Sequence, residues 1–199
     1  MNLDDTTMRQ NELTLTKNVL DFWFGEEGSD VFGASRKEWF VKDADFDEQI
    51  RKNFLDDVEI AIGGGHSRVA ESQMGCLALV ILLDQFPRNL FRDTERAFAG
   101  DKRALALANE AVRLGFDQNL PKSSQMFFYL PFEHSESLDD QRRCMQLFKE
   151  AGNDDMLKWA VAHHDIIARF GRFPHRNMAL GRESTAEEIA FLKEPDSSF

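Results

Sequence analysis

Apolar residues recur along this chain at spacings of three and four, and the strict alternation of a half-buried strand is nearly absent. The stretch Thr16–Phe24 (TKNVLDFWF) predicts a short aromatic helix that Gly25 ends by taking the left-handed conformation. Trp39 and Phe40 fall in a second short helical stretch, residues 35–41. Asp43 reads as an N-cap, after which Phe46, Ile50, Phe54, Val58 and Ala61 form one apolar stripe with acids opposite. Residues 69–86 are apolar on every side, the pattern of a central buried helix, and Pro87 is expected to stop it. A long helix is expected over 95–114, weakened by Gly100 and ended by Gly115. A Phe-rich helix over 123–130 is expected to be cut by Pro131. Two more follow, one opened by Ser137 and one over 153–170. Ser184-Thr185-Ala186-Glu187 reads as a capping box for a short last helix.

Short connections between successive helices make antiparallel neighbours, so the fold class is all-α, an antiparallel array or bundle. The expected organisation is a flexible segment over 1–13, a single helical domain over 14–194 and a tail over 195–199.

Composition narrows the function classes. The 199 residues carry a formal charge of −11, with 42% hydrophobic and 30% charged residues. Disordered chains hold far less apolar content, and a general nucleic-acid binder needs a basic footprint, so neither is expected. Cys76 and Cys144 form no CxxC pair, which points to reduced thiols and a cytoplasmic setting. The N-terminus lacks the basic-then-apolar order of a signal peptide. The longest uncharged apolar run, Met74–Leu83, is 10 residues against the about 20 of a membrane span, so no membrane partner is expected. Nothing here sets an oligomeric state.

Several motifs fail on inspection. Asp43-Ala44-Asp45-Phe46-Asp47 resembles the start of a calcium loop, but Glu48 and Phe54 stand where Gly and Glu are needed. The Gly63–His66 loop lacks the Lys and Ser/Thr of a P-loop, and HExxH, GxSxG and GxGxxG are missing. No cofactor and no metal are expected.

What remains is a polar constellation. Two segments end in similar words: Leu83-Asp84-Gln85-Phe86-Pro87-Arg88-Asn89, and Arg169-Phe170-Gly171-Arg172-Phe173-Pro174-His175-Arg176-Asn177. As scaffolding, each is a helix stop with an Arg at the negative end of the dipole. Charge favours more than scaffolding. Residues 163–182 hold Arg169, Arg172, Arg176 and Arg182 against the single acid Asp165, with His163, His164 and His175 and no lysine. Residues 1–61 hold 15 acids and 7 bases. Arginine offers planar paired donors suited to carboxylate or phosphate, so Arg172 and Arg176 are read as an anion pocket, whereas Arg182 is read as docking on the chain's own acidic N-terminal half. On the helical wheel His163 shares a face, expected buried, with Trp159, Ile167 and Phe170; Asp165 and Arg169 are placed as an i, i+4 pair. Asp84 lies on a stripe with Leu77 and Val80 and needs a partner, with Arg88, Arg92 or the C-terminal arginines as candidates. The third piece is Phe127-Phe128-Tyr129-Leu130-Pro131-Phe132-Glu133-His134-Ser135-Glu136, an aromatic wall presenting His134 and Glu136 at its end, as in a small-ligand site.

The words LDQFPRN, FFYLPFEHSE and RFGRFPHRNMALGRES together resemble the bacterial domain-of-unknown-function family numbered 924, over nearly the whole chain. The matching positions are Asp84, Gln85, Pro87, Arg88 and Asn89; Pro131, His134, Ser135 and Glu136; and Arg169, Gly171, Arg172, Pro174, His175, Arg176 and Asn177. The resemblance implies an all-α fold of the tetratricopeptide-like helical superfamily and brings no established activity with it.

Three functions compete. The first is a pocket for a small anionic ligand lined by Asp84, Gln85, Arg88, Asn89, Arg92, Glu136, Arg169, Arg172, His175, Arg176 and Asn177, with His134 or His163 as proton carrier if chemistry occurs; whether the protein is an enzyme stays open. The second is a helical-repeat scaffold for a protein partner, without catalysis. The third is a metal-dependent phosphohydrolase built on the His164-Asp165 doublet, which needs a later Asp; Asp196 is the one in the sequence.

Overall fold

Capping side chains set the starts of several helices. The computed structural model describes residues 3–29, 32–195 and 197–198, so Met1, Asn2, Asp196 and Phe199 of the expected end segments lie outside the described residues. The α-helices among the described residues are α1 (Leu3–Phe24), α2 (Ala44–Ile62), α3 (Gln73–Val80), α4 (Phe86–Leu90), α5 (Asp101–Leu114), α6 (Lys122–Glu133), α7 (Leu138–Glu150), α8 (Asp154–Phe170) and α9 (Ala186–Phe191). No strand occurs among the described residues, and the fold is all-α. The Asp43 carboxylate accepts the Phe46 N–H at 2.9 Å to open α2. Ser137 caps α7 and Asn153 caps α8. The last capping box sits one residue later than expected: Thr185 and Glu188 exchange its two bonds.

The core forms where helix faces meet. Residues 76–83 are entirely buried, as the all-round apolar pattern demands. Around them pack Trp23 from α1, Ile50, Phe54 and Val58 from α2, Ala104, Ala108 and Ala111 from α5, and Phe127 and Phe128 from α6. Successive helices α6, α7 and α8 pack side by side through short connections. A smaller cluster of Ile166, Ile167, Phe173 and Phe191 docks α9 onto the end of α8.

Several expectations change; the central helix expected from residue 69, for one, starts at Gln73 after a 3-10 turn, Ser67–Glu71. α1 begins at Leu3, so residues 3–13, expected as a flexible lead-in, are helical. The Thr14 and Thr16 hydroxyls turn back onto the carbonyls of Gln10 and Glu12, the behaviour of helix-interior threonines. Pro131 does not cut α6, because it lies within the last turn and the His134 N–H still closes on the Leu130 carbonyl at 2.9 Å. Pro87 does not stop the central helix either. The chain widens into a π turn over Ile81–Gln85, and Pro87 then sits in the first turn of α4, where its missing N–H costs least. Finally, the long helix expected over 95–114 is a 3-10 turn, Glu95–Phe98, followed by α5. The break falls at Gly100, whose position allows no side chain: a Cβ there would lie 2.0 Å from the Leu83 carbonyl oxygen, the acceptor for which Pro87 has no helical donor.

Candidate functional site

The π turn and the end of α6 meet over the core. Widening the helix at Ile81–Gln85 turns Asp84, fully buried, toward α6. The α6 end is held by Gln141 of α7, whose buried side-chain amide donates to the carbonyls of Glu133 at 2.6 Å and Ser135 at 2.7 Å. His134 is thereby fixed with its Nδ1 2.7 Å from Asp84 Oδ1. A carboxylate only accepts, so Nδ1 carries the proton and the neutral ring presents a bare Nε2 on its other edge. Asp84 also accepts from the Gln85 amide and lies 3.4 Å from Arg88 Nη1. Burial opposes its ionisation, yet His134, Arg88 and Gln85 hold its carboxyl down at about 2. Burial and Arg88 bring His134 below the ordinary imidazole value, against the pull of Asp84.

The third tip arrives from beyond α8. After Gly171 a 3-10 turn, Pro174–Arg176, lays the buried Arg176 between Phe98 and Phe173, its guanidinium 4.8 and 4.4 Å from the two ring centres. Its Nη1 donates to the His134 carbonyl at 2.9 Å, at the negative end of α6. Asp101 lies 3.6 Å from the same nitrogen, and Arg176 Nε is buried with no hydrogen-bond partner.

These tips border one cleft of about 740 Å³. Its polar lining includes Gln85, Arg88, Asn89, Arg92, Glu133, His134, His163, His175 and Arg176. Trp39, Phe98, Leu130, Met156 and Trp159 supply apolar wall, and Lys42 stands on the border. Trp39 is set in place by its indole N–H, which donates to the Trp23 carbonyl at 3.1 Å.

Charge in the cleft is largely matched. Arg88 forms a two-point pair with Asp101 at 2.8 and 3.1 Å. Arg92 does the same with Asp47, which also accepts from the Asn89 amide. Burial, with Arg88 and despite Asp101, lowers Arg176 to about 10. Burial and the cations around them lower His175 to about 4 and His163 to about 3, so both rings are neutral at pH 7. Glu133 is buried with no cation on it, and burial beside Asp84 pushes its carboxyl up to about 8.

Of the residues proposed from sequence, Asp84, Gln85, Arg88, Asn89, Arg92, His134, His163, His175 and Arg176 are brought together, with Asp84 beneath the floor. The others are not. Glu136 is occupied by both terminal nitrogens of Arg182 and by the Phe173 N–H. Arg172, read as a pocket residue, instead grips Glu188 of α9 at 2.6 and 2.9 Å, because α9 folds back against that turn. Arg169 pairs with Glu187 and not with Asp165, whose side chain meets His164. Asn177 bonds Ser184, Glu188 and Arg182. The basic island therefore docks mainly on the acids that follow it and on Glu136, and not on the acidic N-terminal third. Trp159, expected buried beside His163, is 49% exposed and forms cleft wall. The His164-Asp165 doublet lies outside the cleft lining, and no group of three His, Cys, Asp or Glu placed to hold a metal occurs among the described residues.

Glu133, Trp39, Phe98, Asp47 and Asp101 were not singled out by sequence reasoning. For Glu133 a signal existed: an acid directly after an apolar aromatic run, next to the candidate His134.

The bacterial protein family of unknown function DUF924 matches residues 19–196, nearly the whole chain. The chain belongs to the DUF924 family. Its fold is also similar to a solved structure described as a protein of unknown function, ATU0120, from Agrobacterium tumefaciens. The two share 40% identity over 91% of this chain and 98% of that one, with a TM-score of 0.82. No curated protein matches. Membership of DUF924 thus brings a fold and no assigned chemistry, and the site must be read from its own geometry.

Proposed function

We propose that the cleft binds a small organic anion, a carboxylate or phosphate joined to an apolar or aromatic body, with His134 as its acid–base group. The observation that carries this is the buried Asp84–His134 pair, at 2.7 Å, beside an arginine whose Nε lacks an acceptor. A carboxylate oxygen at that nitrogen would satisfy a donor now left without a bond, which matters most where water is excluded. Lys42 on the border adds a second cation, and Trp39, Phe98 and Trp159 offer faces for the body. Asp84 holds the ring in the tautomer that leaves Nε2 basic, the arrangement a general base needs.

Tryptophan fluorescence titrated with phenylacetate, phenyl phosphate and inorganic phosphate tests the binding. Saturable quenching by an aromatic anion, weakened at least tenfold in both Arg176→Ala and Lys42→Ala, is expected. Full affinity in both variants, with unchanged thermal melts, removes the anion role.

A second reading, a tetratricopeptide-like scaffold for a protein partner, is favoured by the exposed Phe40, Val41 and Trp159 around the cleft. Partner capture that survives Arg176→Ala and His134→Ala would support it. The two free, buried cysteines agree with the cytoplasmic setting that we also propose.

A further inference from the structure

Glu133 is not among the groups that hold the anion. It is the last residue of α6, adjacent to His134, and it borders the cleft although it is only 3% exposed. Its charged and titratable neighbours come from three directions. Asp84 approaches from the π turn, Cys144 Sγ from α7 at 4.0 Å, and His163 Nδ1 from α8 at 3.6 Å. None supplies a counter-charge. His163 Nδ1 donates instead to the Trp159 carbonyl at 2.9 Å, and the ring is neutral. A buried carboxyl with a carboxylate nearby and no cation keeps its proton at neutral pH. It then offers the cleft an O–H donor one residue from the imidazole that offers a lone pair.

Hydroxyl and thiol nucleophiles are scarce in the lining. Among the described lining residues Ser198 is the one hydroxyl bearer, and neither cysteine lines the cleft. An acid and a base facing one ligand suit proton transfer.

We infer that Glu133 is a catalytic acid working opposite His134, and that the cleft interconverts the keto and enol forms of 2-oxo acids bearing an apolar or aromatic group. This rests on the anion-site reading. The ligand carboxylate takes Arg176 Nε and the body lies against the aromatic wall. His134 Nε2 removes a proton from the carbon beside the carbonyl. The C–H electron pair becomes the C=C bond, the carbonyl π pair moves to oxygen, and that oxygen takes the Glu133 proton. His134 is left as imidazolium and Glu133 as carboxylate, and proton return through solvent restores both. Net composition is unchanged and no redox partner is consumed. Asp84 is a positioning residue, holding Nδ1 and stabilising the imidazolium.

The probe is phenylpyruvate in D2O, with loss of the C3–H signal followed by proton NMR and binding followed by saturation transfer. Wild-type protein should accelerate exchange above buffer. Glu133→Gln, which keeps the shape of the uncharged acid, should still bind but exchange about 100-fold more slowly. In the wild type the enzymatic rate should fall as pH rises through about 8, where Glu133 loses its proton. That measurement does not depend on a variant folding. Exchange at the wild-type rate in Glu133→Gln, or no alkaline fall, overturns the role of Glu133. Binding without accelerated exchange overturns the reaction and leaves the anion site standing. Absence of binding by both phenylpyruvate and phenylacetate takes the anion site down as well.

Discussion

Replacing Glu133 by Gln should change how stability depends on pH, and the size of the change follows from the structure. The folded carboxyl titrates at about 8, against about 4.5 in an unfolded chain. Between those values the native state binds a proton that the unfolded state does not, so this group's contribution is full below 4.5 and is lost as pH rises through 8. His163 and His175 act in the opposite sense. Their folded values of about 3 and about 4 lie below the ordinary imidazole value, so the stability they bring is present above 6.5 and lost as pH falls. From pH 4.5 to 6.5 the two histidines outweigh Glu133 and stability climbs. From 6.5 to 8 Glu133 acts alone among the three. At 1.36 kcal/mol per unit, that interval is worth about 2 kcal/mol. Urea unfolding at half-unit steps from pH 5 to 9 should show the wild type most stable near 6.5 and weaker by about 2 kcal/mol at 8. Glu133→Gln should be flat over that upper interval. Parallel curves for the two proteins between 6.5 and 8 would refute a protonated Glu133.

Three further outcomes are expected. Gly100→Ala should cost about 3 kcal/mol in urea unfolding, because its Cβ meets the Leu83 carbonyl at 2.0 Å and backbone must move; a loss below about 0.5 kcal/mol would show that the 95–101 turn yields freely. Arg182→Ala should cost on the order of 2 kcal/mol by leaving Glu136 with the Phe173 N–H alone, and should leave phenylacetate affinity within twofold, since the Arg182 guanidinium is committed to Glu136 outside the cleft; an equal loss of binding would place Arg182 in the site. Burial raises both thiols, Cys76 to about 11, so a thiol reagent at pH 8 should label neither until the protein unfolds; rapid labelling of either cysteine in the native state would contradict the packing around α3 and α7.

Much of the fold was legible in local signals. Asp43 and Ser137 cap the helices they precede, Gly25 and Gly115 take left-handed conformations, and the i, i+4 stripe of α2 is buried as written. The misreadings turn on single residues whose place in the helix decides what they do. Pro87 and Pro131 read as stops, but a π turn accommodates one and the other lies where the helix ends anyway. Gly100 read as a weak helix position; its reason is a neighbour 17 residues earlier in the chain. At the site, the polar words at Asp84, His134 and Arg176 stood out because polar residues at apolar helix ends need partners. Which partners they take was not legible. Arg172 and Arg176 look alike on the page, and only the return of α9 separates them, placing Glu188 on one and leaving the other to His134 and Phe98. Glu133 was passed over since an acid at a helix end reads as ordinary surface. Its burial depends on α7 and α8 closing over it.

A crystal grown with saturating phenylacetate is the most direct trial of the convergence of these three helix ends on one ligand. The carboxylate should lie within hydrogen-bond reach of Arg176 Nε, with the ring against Trp39 or Trp159 and the methylene facing His134 Nε2. Phenylacetate held instead on the outer arginines Arg169 and Arg172, or a cleft without it at saturation, would contradict the account.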